Sequence, residues 1–126
     1  MDRIPILRMG RSLLVTIQVD LQDRTAVALQ DDLSAKIEET GADGVLIDIT
    51  GVPTVDTLVA QHLLKTVTAI RLMGAECIIS GIRPQIAQTI VHLGIDLQGI
   101  TTKATLADAL RLAMRSAGYT VTRAAD

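Results

Sequence analysis

An α/β domain, built on a mixed but mostly parallel sheet of four or five strands with about four helices, is the fold class this sequence predicts. Three observations carry it. The first twenty residues hold two short apolar runs around a glycine-containing turn, the pattern of a β-hairpin. From Asp23 onward, stretches with apolar residues three and four apart alternate with short continuous apolar runs. That alternation implies parallel pairing through right-handed helical crossovers. Finally, 126 residues with 48% hydrophobic, 21% charged and 3 Pro suit one domain that can bury its own core.

The elements follow in the order ββαβαβα(β)α. Ile4 to Leu7 is a short first strand, placed at a sheet edge by Pro5, and Met9-Gly10-Arg11 turns into the β-rich run Ser12 to Ile17. Ala26, Leu29, Leu33 and Ile37 form one face of a helix that Gly41 ends. Gly44 to Ile49 is continuously apolar apart from Asp48, as suits a central strand covered by other elements. Thr50 to Val55 reads as a loop, and Asp56 or a neighbour caps a helix whose face is Val59, Leu63, Val67 and Ile70, with Gly74 as its stop. Glu76 to Ser80 is another strand. Gly81-Ile82-Arg83-Pro84 turns into a short helix carrying Ile86, Ile90 and Leu93, stopped by Gly94. Ile100-Thr101 is a last short strand, and Leu106, Leu110 and Ala113 mark a final helix. The expected division is one domain over 1–117 and a frayed tail over 118–126.

Composition excludes several functions. With one Tyr, no Phe and no Trp, the core is aliphatic, and the stacking rings common in nucleic-acid binders are missing. The net charge is -2, so no basic surface draws the chain to nucleic acid, and Lys and Arg read as solvated surface. A single Cys77, inside the run Cys77-Ile78-Ile79, rules out an intrachain disulfide and reads as a buried structural thiol. The N-terminus lacks a basic segment followed by a long apolar run, and no stretch approaches the roughly 20 apolar residues of a membrane helix. The expectation is a cytoplasmic protein with no membrane partner.

Catalytic signatures are also missing. The sequence holds no G-x-x-x-x-G-K-[ST], no G-x-G-x-x-G and no G-x-S-x-G. His62 and His92 lie in different predicted helices without an acidic companion at ligand spacing. Asp31-Asp32 and Glu38-Glu39 are sequence neighbours that point to different sides of a helix, a solvated-face pattern. No enzyme, cofactor or metal site is expected. The informative place is Val55-Asp56-Thr57, at a helix start where unpaired N–H groups and a partial positive charge favour a phosphate. A phosphate on Thr57 would add about −1.5 to −2 charges and three acceptor oxygens. Ordinary capping by Asp56 or Thr54 explains the same residues, so the chemistry alone leaves both readings open.

The segment from Ile47 to Thr57, Ile-Asp-Ile-Thr-Gly-Val-Pro-Thr-Val-Asp-Thr, resembles the strand–loop–helix of STAS domains, the family of anti-sigma-factor antagonists. Gly81-Ile82-Arg83-Pro84-Gln85-Ile86-Ala87-Gln88-Thr89 and Leu93-Gly94-Ile95-Asp96-Leu97 resemble its stressosome branch. The opening, with Ile4-Pro5-Ile6-Leu7 and Leu13 to Gln18, and the stretch from Asp23 to Leu33 are similar to the short scaffold subunit RsbS. The resemblance runs over roughly residues 3 to 115 and implies a STAS fold. It also implies a non-enzymatic, phosphorylated subunit of a larger oligomer. Such subunits assemble with RsbR-type STAS proteins, sequester an RsbT-type serine/threonine kinase until phosphorylated, and are reset by a cognate phosphatase.

The family's phosphorylated hydroxyl falls on Thr57, with Asp48, Thr54, Val55, Asp56 and Leu58 as the phosphosite neighbourhood and partner contact. Thr25 is a second, weaker candidate; the aligned position of the second phosphorylated Thr of RsbR proteins is Asp23. RsbS proteins usually carry Ser where Thr57 stands, and Val55-Asp56-Thr57 and Gly81-Ile82-Arg83-Pro84 are RsbR-like wording. RsbR proteins carry an N-terminal sensor domain for which this chain has no room, so an RsbS-type subunit is the expectation and a lone RsbR-like protein the close second. Two further alternatives are a stand-alone anti-sigma-factor antagonist, which binds an anti-sigma kinase by partner switching, and a receiver-like domain phosphorylated on Asp48. The receiver needs an acidic pair after its first strand, where Met9-Gly10-Arg11 stands instead. A nucleotide-binding module would need a phosphate loop that the chain lacks.

Overall fold

The computed structural model describes residues 4–18, 23–53, 55–94 and 100–116. The chain runs β1 (Ile6–Met9), β2 (Ser12–Thr16), α1 (Asp23–Thr40), β3 (Gly44–Asp48), α2 (Thr57–Leu72), β4 (Glu76–Ser80), α3 (Pro84–His92), β5 (Thr101–Lys103) and α4 (Leu106–Ser116). One five-stranded sheet has the order β1-β2-β3-β4-β5. The first pair is antiparallel and the other three are parallel, as the hairpin and the later alternation imply.

Two strands lie further along the chain than the residue types indicated. β1 starts at Ile6 rather than Ile4 because its register is set by the turn: Met9 pairs with Ser12, and Gly10, at φ 59°, supplies the positive dihedral of the tight turn between them. Pro5, which has no N–H to give, stays outside the strand. β5 starts at Thr101 rather than Ile100. The expected tail, 118–126, lies outside the described residues.

Strand alternation divides the core in two. Leu13, Val15, Val45, Ile47, Cys77 and Ile79 point to one face. There they pack with Leu29, Leu33 and Ile37 of α1, Val59, Val67 and Ile70 of α2, and Ile86 of α3. Leu46 and Ile78 point the other way, onto Ala109 and the apolar side of α4, including Leu106 and Leu110. β3 is thus covered on both sides, and Val45 through Ile49 are all buried. Every fully buried large side chain among the described residues is Leu, Ile or Val. Cys77 is buried in this core, and that burial, opposed by the nearby Arg71 charge, raises its thiol from 9.0 to about 12. It is therefore a poor nucleophile.

Two predictions follow from this packing. Leu33→Ala, at 0% exposure on α1, should lower unfolding stability by about 3 kcal/mol in urea denaturation. Leu72→Ala, at 83% exposure on α2, should change it by less than about 0.5 kcal/mol. The Cys77 thiol adds a pH dependence whose sign is set by its raised folded-state value. The unfolded thiol ionises first, so this stability is present below pH 9.0 and is lost as pH rises toward about 12. Denaturation of wild type against Cys77→Ala across that range should show a steeper loss in wild type.

Candidate functional site at the carboxyl ends of the parallel strands

The parallel strands β2, β3 and β4 end together, and the loops that leave them meet. The Ile17 N–H donates to the Asp48 carbonyl at 2.9 Å and the Ile49 N–H to the Ser80 carbonyl at 2.9 Å, so the ladder continues to the rim. Asp48 and Ser80 are register partners on the face that α4 covers. Asp48 is 7% exposed and Ser80 0%. A carboxylate in such a place is costly unless bonded. The Ser80 hydroxyl donates to Asp48 Oδ1 at 2.7 Å and the Thr50 hydroxyl donates to the same oxygen at 2.8 Å.

Beyond Thr50 the chain turns back, with the Val52 N–H donating to the Ile49 carbonyl at 3.0 Å. Val52 and Val55 plug into the core at 0% and 8% exposure. Asp56 then takes extended backbone angles (φ −82°, ψ 174°), and its Oδ1 accepts from the Val59 N–H at 2.8 Å. Asp56 is therefore the cap of α2, which decides between it and its neighbours. Thr57 is the first residue of α2 and is exposed. No hydrogen bond engages its hydroxyl among the described residues. Leu58 beside it is 49% exposed, and Pro53 and Thr50 are exposed as well.

Of the residues expected at this site, the structure gathers Asp48, Val55, Asp56, Thr57 and Leu58 around one rim. Their roles divide. Asp48 and Val55 were expected to meet a partner, but burial puts both beneath the surface, where they shape the loop. The same burial, with its doubly bonded Oδ1, takes Asp48 out of reach as a receiver-type acceptor. Thr54 lies outside the described residues. Thr25 is half-buried in the first turn of α1, and among the described residues no hydrogen bond joins it to the rim. Ser80, Gly81 and Arg83 belong to the site although residue type alone did not single them out. The Arg83 Nε donates to the Thr50 carbonyl at 3.0 Å.

Beneath the first turns of α2 lies an apolar cavity of about 30 Å³, lined by residues that include Ile49, Val55, Ala60, Leu63, Ile82 and Ile86. It is too small for a cofactor and offers a water no polar partners. Among the described residues no cluster of three or more His, Cys, Asp or Glu could hold a metal ion. Nor is any described helix long and apolar enough to cross a membrane.

The cap and the loop contact are testable by stability. Asp56→Ala should cost about 1 kcal/mol in chemical denaturation, and Asp56→Asn, which keeps an acceptor, less than half of that. Gly81→Ala should cost more than Asp56→Ala. Gly81 has φ 77°, and a Cβ there would fall 2.7 Å from the Thr50 nitrogen and 2.8 Å from its Cα.

With this geometry in view, comparison with known proteins places the chain. The model of the STAS domain family matches residues 3–109. The RsbT co-antagonist protein RsbRA of Bacillus subtilis (strain 168) is 59% identical over 70 residues, which cover 56% of this chain and 26% of RsbRA. The chain thus matches about a quarter of that relative's length. Among solved structures, a serine-to-glutamate variant of RsbS from Moorella thermoacetica superposes with a TM-score of 0.81 at 27% identity, covering 94% of this chain and 100% of that one. A chain from the molecular architecture of the stressosome, described as a signal integration and transduction hub, gives 0.76 at 26% identity, covering 91% and 100%. These matches show that the chain belongs to the STAS domain family, on its stressosome branch.

Proposed function

We propose that this chain is a non-catalytic stressosome subunit of RsbS type that holds an RsbT-type serine/threonine kinase and releases it on phosphorylation at Thr57. In this reading it is cytoplasmic and assembles with RsbR-type STAS proteins, and a cognate phosphatase restores the unmodified form. The observation that carries the reading is the state of Thr57: an exposed hydroxyl, engaged by no described group, at the first position of a helix whose cap is already supplied by Asp56. A kinase can reach that oxygen without dismantling the fold. The neighbouring Leu58, half exposed, offers apolar area for docking.

A phosphate of about −1.5 to −2 charges beside Leu58 and Asp56 must be desolvated or repelled when a partner seats there. A loss of about 2.8 kcal/mol in docking energy weakens affinity about 100-fold. That difference is enough to switch partners.

Treatment with an RsbT-type kinase followed by mass mapping should give one dominant phosphosite in wild type, absent in Thr57→Ala. Full phosphorylation persisting in Thr57→Ala would end the proposal. Calorimetric titration should show Thr57→Glu binding that kinase about 100-fold more weakly than wild type, in line with the docking loss above. Light scattering separates the scaffold from a stand-alone anti-sigma-factor antagonist. A megadalton-scale species with an RsbR-type partner supports the scaffold, and a monomer with and without that partner counts against it.

A further inference from the structure

Thr50 is gripped from several directions. Its hydroxyl donates to Asp48 Oδ1 at 2.8 Å, and that oxygen also accepts from Ser80 at 2.7 Å. Its carbonyl accepts from Arg83 Nε at 3.0 Å. Its backbone rests against Gly81 so closely that any side chain there would overlap it. Arg83 stands at the cap position of α3, yet makes no side-chain cap bond to its own helix; it reaches across to the other loop instead. The result is a lock between the turn that leaves β4 and the loop that leads from β3 to Thr57. Thr50 is where that loop departs from the sheet.

We propose that Arg83 and Asp48 are positioning residues for phosphorylation: by clamping Thr50 between them they hold the loop that presents the Thr57 hydroxyl to the kinase. The inference rests on Thr57 being the acceptor. Neither residue needs to touch the kinase. Phosphoryl transfer depends on placing the attacking oxygen in line, so a loop freed at its root presents that oxygen correctly for less of the time. The docking surface on α2 is unchanged, so the loss falls on turnover and not on affinity.

Steady-state phosphorylation by an RsbT-type kinase tests the clamp in Arg83→Ala, Arg83→Lys and Thr50→Val, all at exposed positions; Thr50→Val also removes one of the two hydroxyls that satisfy the buried Asp48 carboxylate, so Arg83→Ala, which leaves both in place, is the cleaner variant. The expected result is a kcat about fivefold to tenfold lower in each variant, the size of one lost hydrogen bond, with KM within about twofold. Arg83→Lys keeps the charge but loses the rigid Nε donor, so it should resemble Arg83→Ala. Hydrogen exchange without kinase gives a second readout: the Val52 amide should exchange about tenfold faster in Thr50→Val and Arg83→Ala than in wild type. A raised KM with unchanged kcat, rescued by lysine, would overturn the clamp and make Arg83 a direct kinase contact. Unchanged kcat and unchanged Val52 exchange, with wild type phosphorylated at Thr57, would also overturn it. Absence of phosphate on wild-type Thr57 would instead overturn the reading of the acceptor, and this inference with it.

Discussion

β3 runs through the middle of the sheet with helices on both faces, and its last residue is an acid. Asp48 must be satisfied where it stands, because an unbonded carboxylate in that environment would cost several kcal/mol. Water does not reach it freely, and the next strand offers one partner, the Ser80 hydroxyl. The second comes from Thr50, which can donate only if the chain turns back immediately after Ile49. The direction of the loop follows from that bond. So does the meeting of this loop with the turn after β4, since Ser80 and Gly81 are the residues lying alongside. From the turn-back, Val52 and Val55 drop into the core and Asp56 arrives where the first turn of α2 needs an acceptor.

The two faces of the sheet contribute differently. The face shared by α1, α2 and α3 holds most of the buried side chains, and apart from the Cys77 thiol that cluster is aliphatic. Branched aliphatic residues pack well in layers but lack the large flat area of rings, and a small apolar gap remains under the first turns of α2. Among the described residues the other face rests on α4, through Leu46, Ile78 and Ala109. The start of α2 is thus anchored mainly by Val55, Val59 and Ala60, and its outer surface, with Thr57 and Leu58, is left open. A charge added on that surface would meet solvent, and a partner docked there would face it directly.

Much of this was legible in the residues alone. Helices with apolar positions three and four apart, and a strand as uniformly apolar as Gly44 to Ile49, declare themselves through periodicity. The run Val55-Asp56-Thr57 pointed to a helix start with the cap left open, and α2 begins at Thr57 with Asp56 as its cap. What was not legible depends on pairs far apart in sequence. Asp48 meets Ser80 across 32 residues, and Thr50 meets Arg83 across 33. No local pattern joins them; the parallel register of β3 and β4 does. The loop from Thr50 to Val55 has no period, so nothing in it distinguished the buried Val55 from the exposed Pro53. The first strand was misplaced by two residues because a turn sets hairpin register, and residue type in the strand is a weaker guide.

The placement of Thr57 bears on how a modification there would act. A phosphate at the first helical position gains from the helix dipole, an effect of about 0.3–1 kcal/mol at an exposed site. The Asp56 carboxylate, one residue away and bonded to the Val59 N–H, already occupies that favourable field. The new charge meets repulsion of comparable size from it, so attraction and repulsion nearly cancel within the domain. The fold therefore has little reason to rearrange on phosphorylation. The consequence falls on whatever approaches the surface: a partner seated over Leu58 would have to strip water from two adjacent anions where before it met one. A switch built this way would change what the domain binds while leaving its own structure almost as it was.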